Sequence, residues 1–533
     1  MPPTRLRVAI LACLSLASAL GAVPQSSLLA RGYICAEGGG SVTGGSWAPG
    51  VFGWMVEHGG DGTVVILGVS GSDNNAANAF LAAGAASVTQ LNVTAANANS
   101  PAVAATIAAA DIVWMRGGDQ ANYVNWWNNT ATEAAIRSVY LKGGVVGGTS
   151  AGCAVLGSVI YDAKVGSVSP KAALQNPYHP FITFTDTFLE LVPGALFDTH
   201  FTERGRLGRL AVMIARRYAD LGDDLLGIGV DDRTALCVYP DLTAEVRGEG
   251  AVTFIHRTPS SVQTLASGSA PVFTSVAHTQ ILEGYRYDLV ERTVIERPAG
   301  SSVAPPAPAD PVPGVNVPQL LAGSSLATAA IGEFRWLDFN DSLALFLGKL
   351  QVVAGTNVLG RSVLSAQVWN STDFDENRVG GVQYAMALHP HLLGIYLDGG
   401  VQVQAESPAA LRVLPPSTAL ESATVILDGH GMTSRAFSTY VSSANSVGPR
   451  QSVAIEGAIL HLLRRDWGYR MAAHRPFSPA GPADIDLSGI VDGSDLGLLL
   501  NAWGSDAPEA DLDGDGVVGG ADLGLLLNAW MTP

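Results

Sequence analysis

A serine in a glycine-rich turn is the residue of this sequence best suited to nucleophilic chemistry. Ser150 lies in the segment GGTSAG, residues 147–152, which follows one apolar run and precedes another. A strand that turns sharply into a helix exposes a serine hydroxyl at its tip, and flanking glycines make room for that turn. The amide of Ala151, at the helix start, would point toward a developing oxyanion. The segment therefore predicts a nucleophile elbow.

A serine nucleophile needs a general base, and one histidine has a suitable context. His200 follows an apolar strand and precedes a helix, and three arginines, Arg204, Arg206 and Arg209, crowd the start of that helix. Arginine binds carboxylates through two parallel hydrogen bonds. The cluster therefore predicts a clamp for substrate carboxylates, and the alternative interpretation is a solvated basic helix face.

The region from residue 31 to 298 alternates apolar strands with helical segments. Continuous apolar strands between helices indicate an α/β fold, a parallel sheet with helices on both faces. Residues 38–40 and 116–120 form glycine-rich or polar loops just past two strands, as Ser150 lies past a third. Because ligands bind beyond the carboxyl ends of parallel strands, we expect these loops to converge on one cleft.

The ends and the charge of the chain predict its location and exclude some partners. Residues 1–22 combine a basic start, an apolar stretch and small residues, which is typical of a signal peptide for export to the periplasm, the cell surface or the medium. We expect no membrane span and, at a net charge of −17, no nucleic-acid partner. Cys35, Cys153 and Cys237 remain after cleavage, and such a sparse odd set predicts no disulfide framework.

Proline-rich sequence divides the rest of the chain. Residues 299–318 read as a semi-rigid linker, and 475–483 as a second, shorter one. Between them, residues 319–474 form a β-rich or α/β second region that has no serine elbow and is expected to be non-catalytic. Its segment LLGIYLD, residues 392–398, echoes LLGIGVD at 225–231, so we interpret this region as a degenerate repeat of the first.

The last fifty residues, 484–533, contain an internal repeat, whose second copy begins at Asp511, 27 residues after Asp484. Each copy places oxygen-bearing side chains at loop positions 1, 3 and 5 and glycine at position 6, and each ends in LLLNAW. This spacing is typical of calcium loops, so we predict a small all-α module that binds two Ca²⁺ ions. The predicted ligands are Asp484, Asp486, Ser488, Asp492, Asp495, Asp511, Asp513, Asp515 and Asp522.

This C-terminal module resembles a type I dockerin, in which two calcium loops are each followed by a short apolar helix. The resemblance covers residues 484–533 and rests on the duplicated motif. It implies a partner, the cohesin domain of another secreted or surface protein.

Residues 31–298 resemble the cyanophycinase-like serine peptidases, relatives of aspartyl dipeptidase with a class I glutamine amidotransferase-like fold. Four motifs in order carry the resemblance: GGDQ at 117–120, GTSAG at 148–152, DTHF with spaced arginines at 198–210, and GIGVDD at 227–232. The resemblance implies that Ser150 is the nucleophile and that catalysis needs no cofactor.

The same resemblance implies roles for further residues. His200 would be the general base, and the amides of Gly118 and Ala151 would form the oxyanion hole. The family has an acid between serine and histidine, for which we expect Asp162, with Asp186 as the alternative. Thr199 stands where the family has glutamine, a departure that bears on the choice of substrate. The substrate pocket would be lined by Gln120, Asp198, Arg204, Arg206 and Arg209.

The resemblance implies hydrolysis of β-aspartyl-arginine polymer, or of related aspartyl peptides, through an acyl-enzyme on Ser150. Two alternatives stay open. One is an esterase of the α/β-hydrolase type, which shares the elbow. The other is a dockerin-bearing binding protein on a peptidase scaffold that has lost activity. The GGDQ loop and the arginines after His200 disfavour the esterase, and the intact Ser150 and His200 disfavour the binding protein.

Overall fold

The computed structural model of the chain describes most of the first 300 residues and a large share of the others. The predicted signal peptide, residues 1–22, lies outside the described residues, as does most of the linker at 299–318. Within the described part, no helix has the length and apolar character needed to cross a bilayer. The described residues are 32–42, 47–60, 62–299, 302–303, 319–322, 332–337, 351–354, 359–366, 379–397, 401–407, 410–414, 421–443 and 446–530.

The elements that precede residue 300 alternate strand and helix, and then become mostly strands. They are β1 (Tyr33–Glu37), α1 (Ala48–His58), β2 (Thr63–Gly68), α2 (Asn74–Ala82), β3 (Ser87–Asn92), α3 (Pro101–Ala109), β4 (Ile112–Met115), α4 (Gln120–Trp127), α5 (Ala131–Leu141), β5 (Val145–Thr149), α6 (Ala151–Ala154), β6 (Ile160–Tyr161), α7 (Pro170–Gln175), β7 (Phe184–Thr185), β8 (Ala195–Thr199), α8 (Leu207–Leu221), β9 (Leu226–Val230), β10 (Thr234–Val238), β11 (Thr243–Gly248), β12 (Val252–Thr264), β13 (Val272–Ile281), β14 (Arg286–Asp288) and β15 (Thr293–Glu296).

The elements after residue 300 are strands with one helix, and then two helices near the C-terminus. They are β16 (Ser302–Val303), β17 (Gln319–Ala322), β18 (Gly332–Leu337), β19 (Gln351–Ala354), β20 (Leu359–Ala366), α9 (Val379–Leu388), β21 (Leu393–Leu397), β22 (Gln402–Ser407), β23 (Ala410–Leu414), β24 (Thr424–Asp428), β25 (Thr433–Ser443), β26 (Ser446–Leu463), β27 (Gly468–Arg470), β28 (Arg475–Phe477), α10 (Gly493–Asn501) and α11 (Gly520–Trp530).

The first sheet has nine strands in the order β15-β14-β11-β10-β1-β5-β4-β2-β3. Five neighbouring strands of this sheet run parallel to one another, in the order β1, β5, β4, β2 and β3. The strands β10 and β11 are antiparallel to their neighbours. Side chains alternate across this sheet: Cys35 belongs to one buried cluster with Phe52 of α1, and Ala36 to another with Ile136 of α5. The predicted α/β fold with helices on both faces is therefore present in this sheet, but the sheet is mixed rather than wholly parallel.

The second sheet has twelve strands, of which ten follow the order β19-β18-β20-β21-β24-β26-β13-β12-β9-β8. Around the pair β13 and β26 the order is nearly symmetric. On one side, β8 and β9 are parallel and joined by α8, and on the other, β20 and β21 are parallel and joined by α9. The segments 225–231 and 392–398 fall on β9 and β21, which hold matching places, and Asp398 lies outside the described residues.

The second region, residues 319–474, is built into the first region rather than tethered to it. The strand β26 pairs with β13, for example at Ala277↔Ile459. One buried cluster contains Val276 of β13 together with Leu460 of β26. Arg297 also binds the carboxylate of Glu456, with its Nε 2.9 Å from Oε1. The linker at 299–318 therefore connects two parts of one core.

The C-terminal helices α10 and α11 enclose a small apolar core that includes the buried Leu499 and Leu526. Two arginines of the preceding strands contact the loops before these helices. Arg470 donates to the Asp511 carbonyl at 3.1 Å, and Arg475 donates to the Ile485 carbonyl at 3.0 Å. The module therefore rests against the strands β27 and β28.

Candidate active site

Ser150 lies in a strained turn between β5 and α6. Its backbone has φ 54° and ψ −114°, a region in which non-glycine residues are rare and which marks many functional sites. The neighbouring glycines allow this turn. A Cβ at Gly148 would be 2.6 Å from the carbonyl carbon of Gly152, and a Cβ at Gly152 would be 2.2 Å from the Met115 carbonyl oxygen. The backbone has the strand–turn–helix shape expected from the sequence.

The hydroxyl of Ser150 contacts a histidine that is itself held by a carboxylate. Ser150 Oγ lies 2.8 Å from His200 Nε2, and His200 Nδ1 lies 2.5 Å from Asp232 Oδ1. His200 follows β8, and Asp232 follows β9. A serine, a histidine and an acid in this line are the arrangement that lets the imidazole take a proton from the hydroxyl.

The acid beside the histidine differs from the predicted one. Asp162 is buried, accepts hydrogen bonds from Thr183 and Thr185, and lies 3.4 Å from Lys164 Nζ. The alternative, Asp186, pairs with Arg217 at 2.9 Å. Neither carboxylate has a hydrogen bond to the imidazole.

The position of Asp232 is a consequence of strand order. The strands β8 and β9 are parallel neighbours, with Thr199 opposite Val230. The residues just past their ends are therefore adjacent, although Asp232 comes 32 positions after the histidine in the chain. The motif at 227–232 contains this aspartate, whereas the resemblance implied an acid between the serine and the histidine.

The loop at 38–40 packs against the imidazole instead of lining the pocket. Gly39 has φ +135°, and a Cβ there would be 2.2 Å from His200 Cε1. The backbone fixes this approach, because the His200 amide donates to the Gly38 carbonyl at 3.0 Å and the Arg233 amide donates to the Gly39 carbonyl at 2.7 Å. Glycine is therefore required at position 39, and the loop holds the ring in place.

Two amides border the pocket beside the serine hydroxyl. Gly118 lies in the loop after β4, and a Cβ at the preceding Gly117 would be 3.4 Å from Ser150 Cβ. Ala151 begins α6. Among the described residues, neither the Gly118 nor the Ala151 amide donates a backbone hydrogen bond to another element. The oxyanion hole at these two amides stays a prediction.

The serine opens into a pocket of about 260 Å³, which suits a single amino-acid residue. All of the predicted substrate-binding residues border it. The lining residues are Gly118, Asp119, Gln120, Ser150, Ala151, Ala154, Tyr161, Ala163, Gly166, Ser167, Phe197, Asp198, Thr199, His200, Arg204, Arg206 and Arg209.

The arginine cluster is organised around a buried carboxylate. Arg209 donates from Nε to Asp198 Oδ2 at 2.7 Å and from Nη2 to Oδ1 at 2.6 Å. Arg206 donates to the Thr199 carbonyl at 2.8 Å and lies 3.3 Å from Asp198 Oδ1. The predicted clamp is therefore partly internal. Arg204 lines the same pocket, so guanidinium groups of three residues border it together with the carboxylates of Asp119 and Asp198.

Two other groups near the serine have altered acidity. Burial raises the pKa of the Cys153 thiol well above its usual value, which keeps it from acting as a second nucleophile. Burial also raises the pKa of Asp231 to about 7, although the amides of Thr202 and Ala251 donate to its two oxygens and lower it. Asp231 thereby anchors the turn that carries Asp232.

The pair Asp232→Asn and Asp162→Asn tests which acid supports the histidine. An amide at 232 would favour the wrong imidazole tautomer, so we expect labelling of Ser150 by a fluorophosphonate to slow by about 10³-fold or more. The labelling rate of Asp162→Asn should stay within about threefold of the parental rate. The Asp162 carboxylate is bound by Thr183, Thr185 and the backbone amide of Lys164, and not by the imidazole. The reverse ranking in labelling rates would restore Asp162 as the third member.

Comparison with known proteins finds similarity in the part of the chain that contains these residues. Residues 73–244 match the model of Peptidase family S51, a range that contains Ser150, His200 and Asp232. Cyanophycinases of Trichormus variabilis and of Nostoc sp. are each 30% identical to this chain over 201 residues, 37% of this chain and 63% of theirs. The cyanophycinase of Synechococcus elongatus is 30% identical over 172 residues, 32% of this chain and 46% of its own.

The chain thus spans less than two thirds of the length of these curated relatives. Among solved structures, a peptidase from an acI-B1 Actinobacterium is 16% identical and aligns with a TM-score of 0.36, covering 49% of this chain and 98% of its own. Over residues 73–244, the chain is similar to Peptidase family S51 and, at about 30% identity, to cyanophycinases.

Proposed function

We propose that this protein is a serine peptidase of the cyanophycinase type. The observation that carries the proposal is the contact of Ser150 Oγ with His200 Nε2 at 2.8 Å, with Asp232 on the opposite ring nitrogen. Ser150 would attack the scissile carbonyl while its proton passes to His200, and Asp232 would stabilise the imidazolium. The amides of Gly118 and Ala151 would bind the oxyanion. His200 would then protonate the leaving amine, and water would release the acyl group from Ser150.

The proposed substrate is a β-aspartyl-arginine polymer or a related aspartyl peptide. The similarity to cyanophycinases supports this class, and so do the arginines that line the pocket, because guanidinium groups bind carboxylates. The small pocket suits one aspartyl residue. Thr199, buried beside Asp198, is the position at which we expect this pocket to differ from its relatives.

The order of the catalytic residues bears on the esterase alternative. An α/β-hydrolase has the chain order serine, acid, histidine. Here Asp232, which contacts the imidazole, comes after both Ser150 and His200. The geometry therefore favours the peptidase, and the complete hydrogen-bonded line disfavours a non-catalytic binding protein.

We also propose that the C-terminal module binds two Ca²⁺ ions. Carboxylate oxygens of Asp484, Asp486 and Asp495 lie within 4.8 Å of one another. Asp511, Asp513 and Asp522 form the matching set in the second loop, with oxygens within the same distance. Carboxylates are the ligands that Ca²⁺ prefers, so the donor set fits the ion.

The other predicted ligands have additional backbone roles. Asp492 accepts from the Ser494 amide and caps α10, and Asp515 accepts from the Val517 amide. The Ser488 hydroxyl donates to the Ile490 carbonyl at 3.2 Å. These three side chains lie outside the two carboxylate sets, and their part in metal binding stays a prediction.

A dockerin-like role for the module stays part of this proposal. Its helices present apolar side chains to solvent at matching positions of the two repeats, a pattern that suits a protein partner. A cohesin-type domain on another exported protein is the proposed partner, with export directed by residues 1–22. The exposed side chains are Leu498, Leu500, Trp503, Leu525, Leu527 and Trp530.

Ser150→Ala should abolish hydrolysis of cyanophycin and of β-aspartyl dipeptides while leaving the fold intact. His200→Ala should fall similarly, and the double variant should be no slower than either single one, because the two residues act as a unit. We expect a loss of several orders of magnitude in kcat, measured by release of free amine. Hydrolysis by Ser150→Ala above about a tenth of the parental rate would refute the serine mechanism.

Arg204→Ala and Arg209→Ala should separate binding from support of the fold. Arg204→Ala should raise KM for a β-aspartyl dipeptide by roughly tenfold, and leave a neutral p-nitrophenyl ester unaffected. Arg209→Ala removes the bidentate partner of buried Asp198 and should cost about 3–5 kcal/mol in free energy of unfolding. Denaturant unfolding and paired kinetics measure both. Equal kinetic losses on the two substrates would assign Arg204 to the fold as well.

Calcium titration of the full chain by calorimetry should reveal two sites. Asp484→Ala should remove one and Asp511→Ala the other, because each is the first ligand of its own loop. Asp241→Ala, in an exposed turn of residues 31–298, serves as the matched control. Chelator should leave peptide hydrolysis unchanged, since the carboxylate sets lie outside the pocket. Absence of calcium heat in the parent would remove the metal sites and the dockerin-like role.

A further inference from the structure

Glu37, the last residue of β1, carries a buried carboxyl that the mechanism above does not use. Its side chain is 1% exposed. Oε1 accepts a hydrogen bond from the Gly39 amide at 3.0 Å, and the Thr149 side chain and the Arg233 amide lie beside the same carboxyl. These partners come from three segments that are far apart in the sequence.

Each of these partners adjoins one member of the Ser150–His200–Asp232 line. Thr149 directly precedes the serine, and Arg233 directly follows the aspartate. Gly39 lies against the imidazole, so closely that a Cβ there would be 2.2 Å from its Cε1. The backbone carbonyl of Glu37 also accepts from the Ser150 amide at 3.0 Å. A single side chain therefore connects the segments that carry the nucleophile, the base and the acid.

We propose that Glu37 is a positioning residue of the active site, whose carboxyl holds these three segments in register so that Ser150 meets His200 and His200 meets Asp232. This proposal rests on the serine-peptidase function proposed above. Position matters at this scale, because a displacement of about 1 Å in a catalytic group can cost roughly 100-fold in rate. Burial raises the pKa of the Glu37 carboxyl well above its usual value, and the nearby Asp232 carboxylate adds to that rise.

Glutamine at position 37 is therefore the conservative replacement. Its amide has the same shape as a neutral carboxyl, with an oxygen to accept from Gly39 and an NH₂ to face the Thr149 hydroxyl. Alanine removes the carboxyl of Glu37 and with it all of these contacts.

A second buried glutamate supplies the matched control. Glu133, 8% exposed, accepts from the Asn129 amide at 2.6 Å and from the Leu189 amide at 3.2 Å. Like Glu37, it joins segments that are distant in the sequence. Those segments contain none of the residues Ser150, His200 and Asp232. Loss of Glu133 should therefore lower stability without changing the chemistry.

The test compares Glu37→Gln, Glu37→Ala and Glu133→Ala in the full chain. We would measure the rate of Ser150 labelling by a fluorophosphonate, kcat and KM for a β-aspartyl dipeptide, and Tm. Glu37→Ala should slow labelling and kcat by roughly 10- to 100-fold with KM changed less than about threefold. Glu37→Gln should stay within about threefold of the parent, and Glu133→Ala should lower only Tm.

Three outcomes would overturn the proposal: parental labelling by Glu37→Ala, Glu37→Gln as slow as Glu37→Ala, or Glu133→Ala slowed as much. If Glu37→Ala does not fold, Thr149→Val takes its place, since valine keeps the shape but loses the hydroxyl. Parental labelling by Thr149→Val would then overturn it. Labelling needs no peptide substrate, so failure to cleave aspartyl peptides would refute the proposed specificity and leave the Glu37 test intact.

Discussion

The hydrogen bond from the His200 amide to the Gly38 carbonyl, 3.0 Å long, crosses from the second sheet to the first. Ser150 follows β5 of the first sheet, whereas His200 and Asp232 follow β8 and β9 of the second. Ser150, His200 and Asp232 therefore come together only where the two sheets meet. Their shared core, in which Val146 of β5 and Ile228 of β9 belong to one buried cluster, sets the distance between them.

Close backbone approach at this junction explains its glycines. A Cβ at Gly38 would be 2.2 Å from the Val230 carbonyl oxygen, and one at Gly39 would collide with the imidazole of His200. The turn from Val230 to Thr234 joins the second sheet to the first, because β9 belongs to one and β10 to the other. Asp232 thus lies on the connection between the sheets, and any shift of one sheet against the other would separate Ser150 from His200.

The sequence supported the parts of the site that are local. Three features could be predicted because short segments determine them. They are Ser150 with its glycines, His200 before a helix, and the carboxylate spacing from Asp484 onward. The roles of Asp232 and Glu37 could not be predicted from the sequence, because they depend on which strands are neighbours. The pairing of β13 with β26 joins residues about 180 positions apart, such as Ala277 and Ile459, and no local pattern specifies it.

That pairing also determines what the edge of the catalytic sheet can do. A strand that ended its sheet at β13 would present a row of unpaired amides and carbonyls, a template for association with another chain. In this protein β26 fills that place from within the same polypeptide and repeats the order of strands in mirror sequence. The edge of β13 is therefore covered at any dilution, because β13 and β26 belong to the same chain.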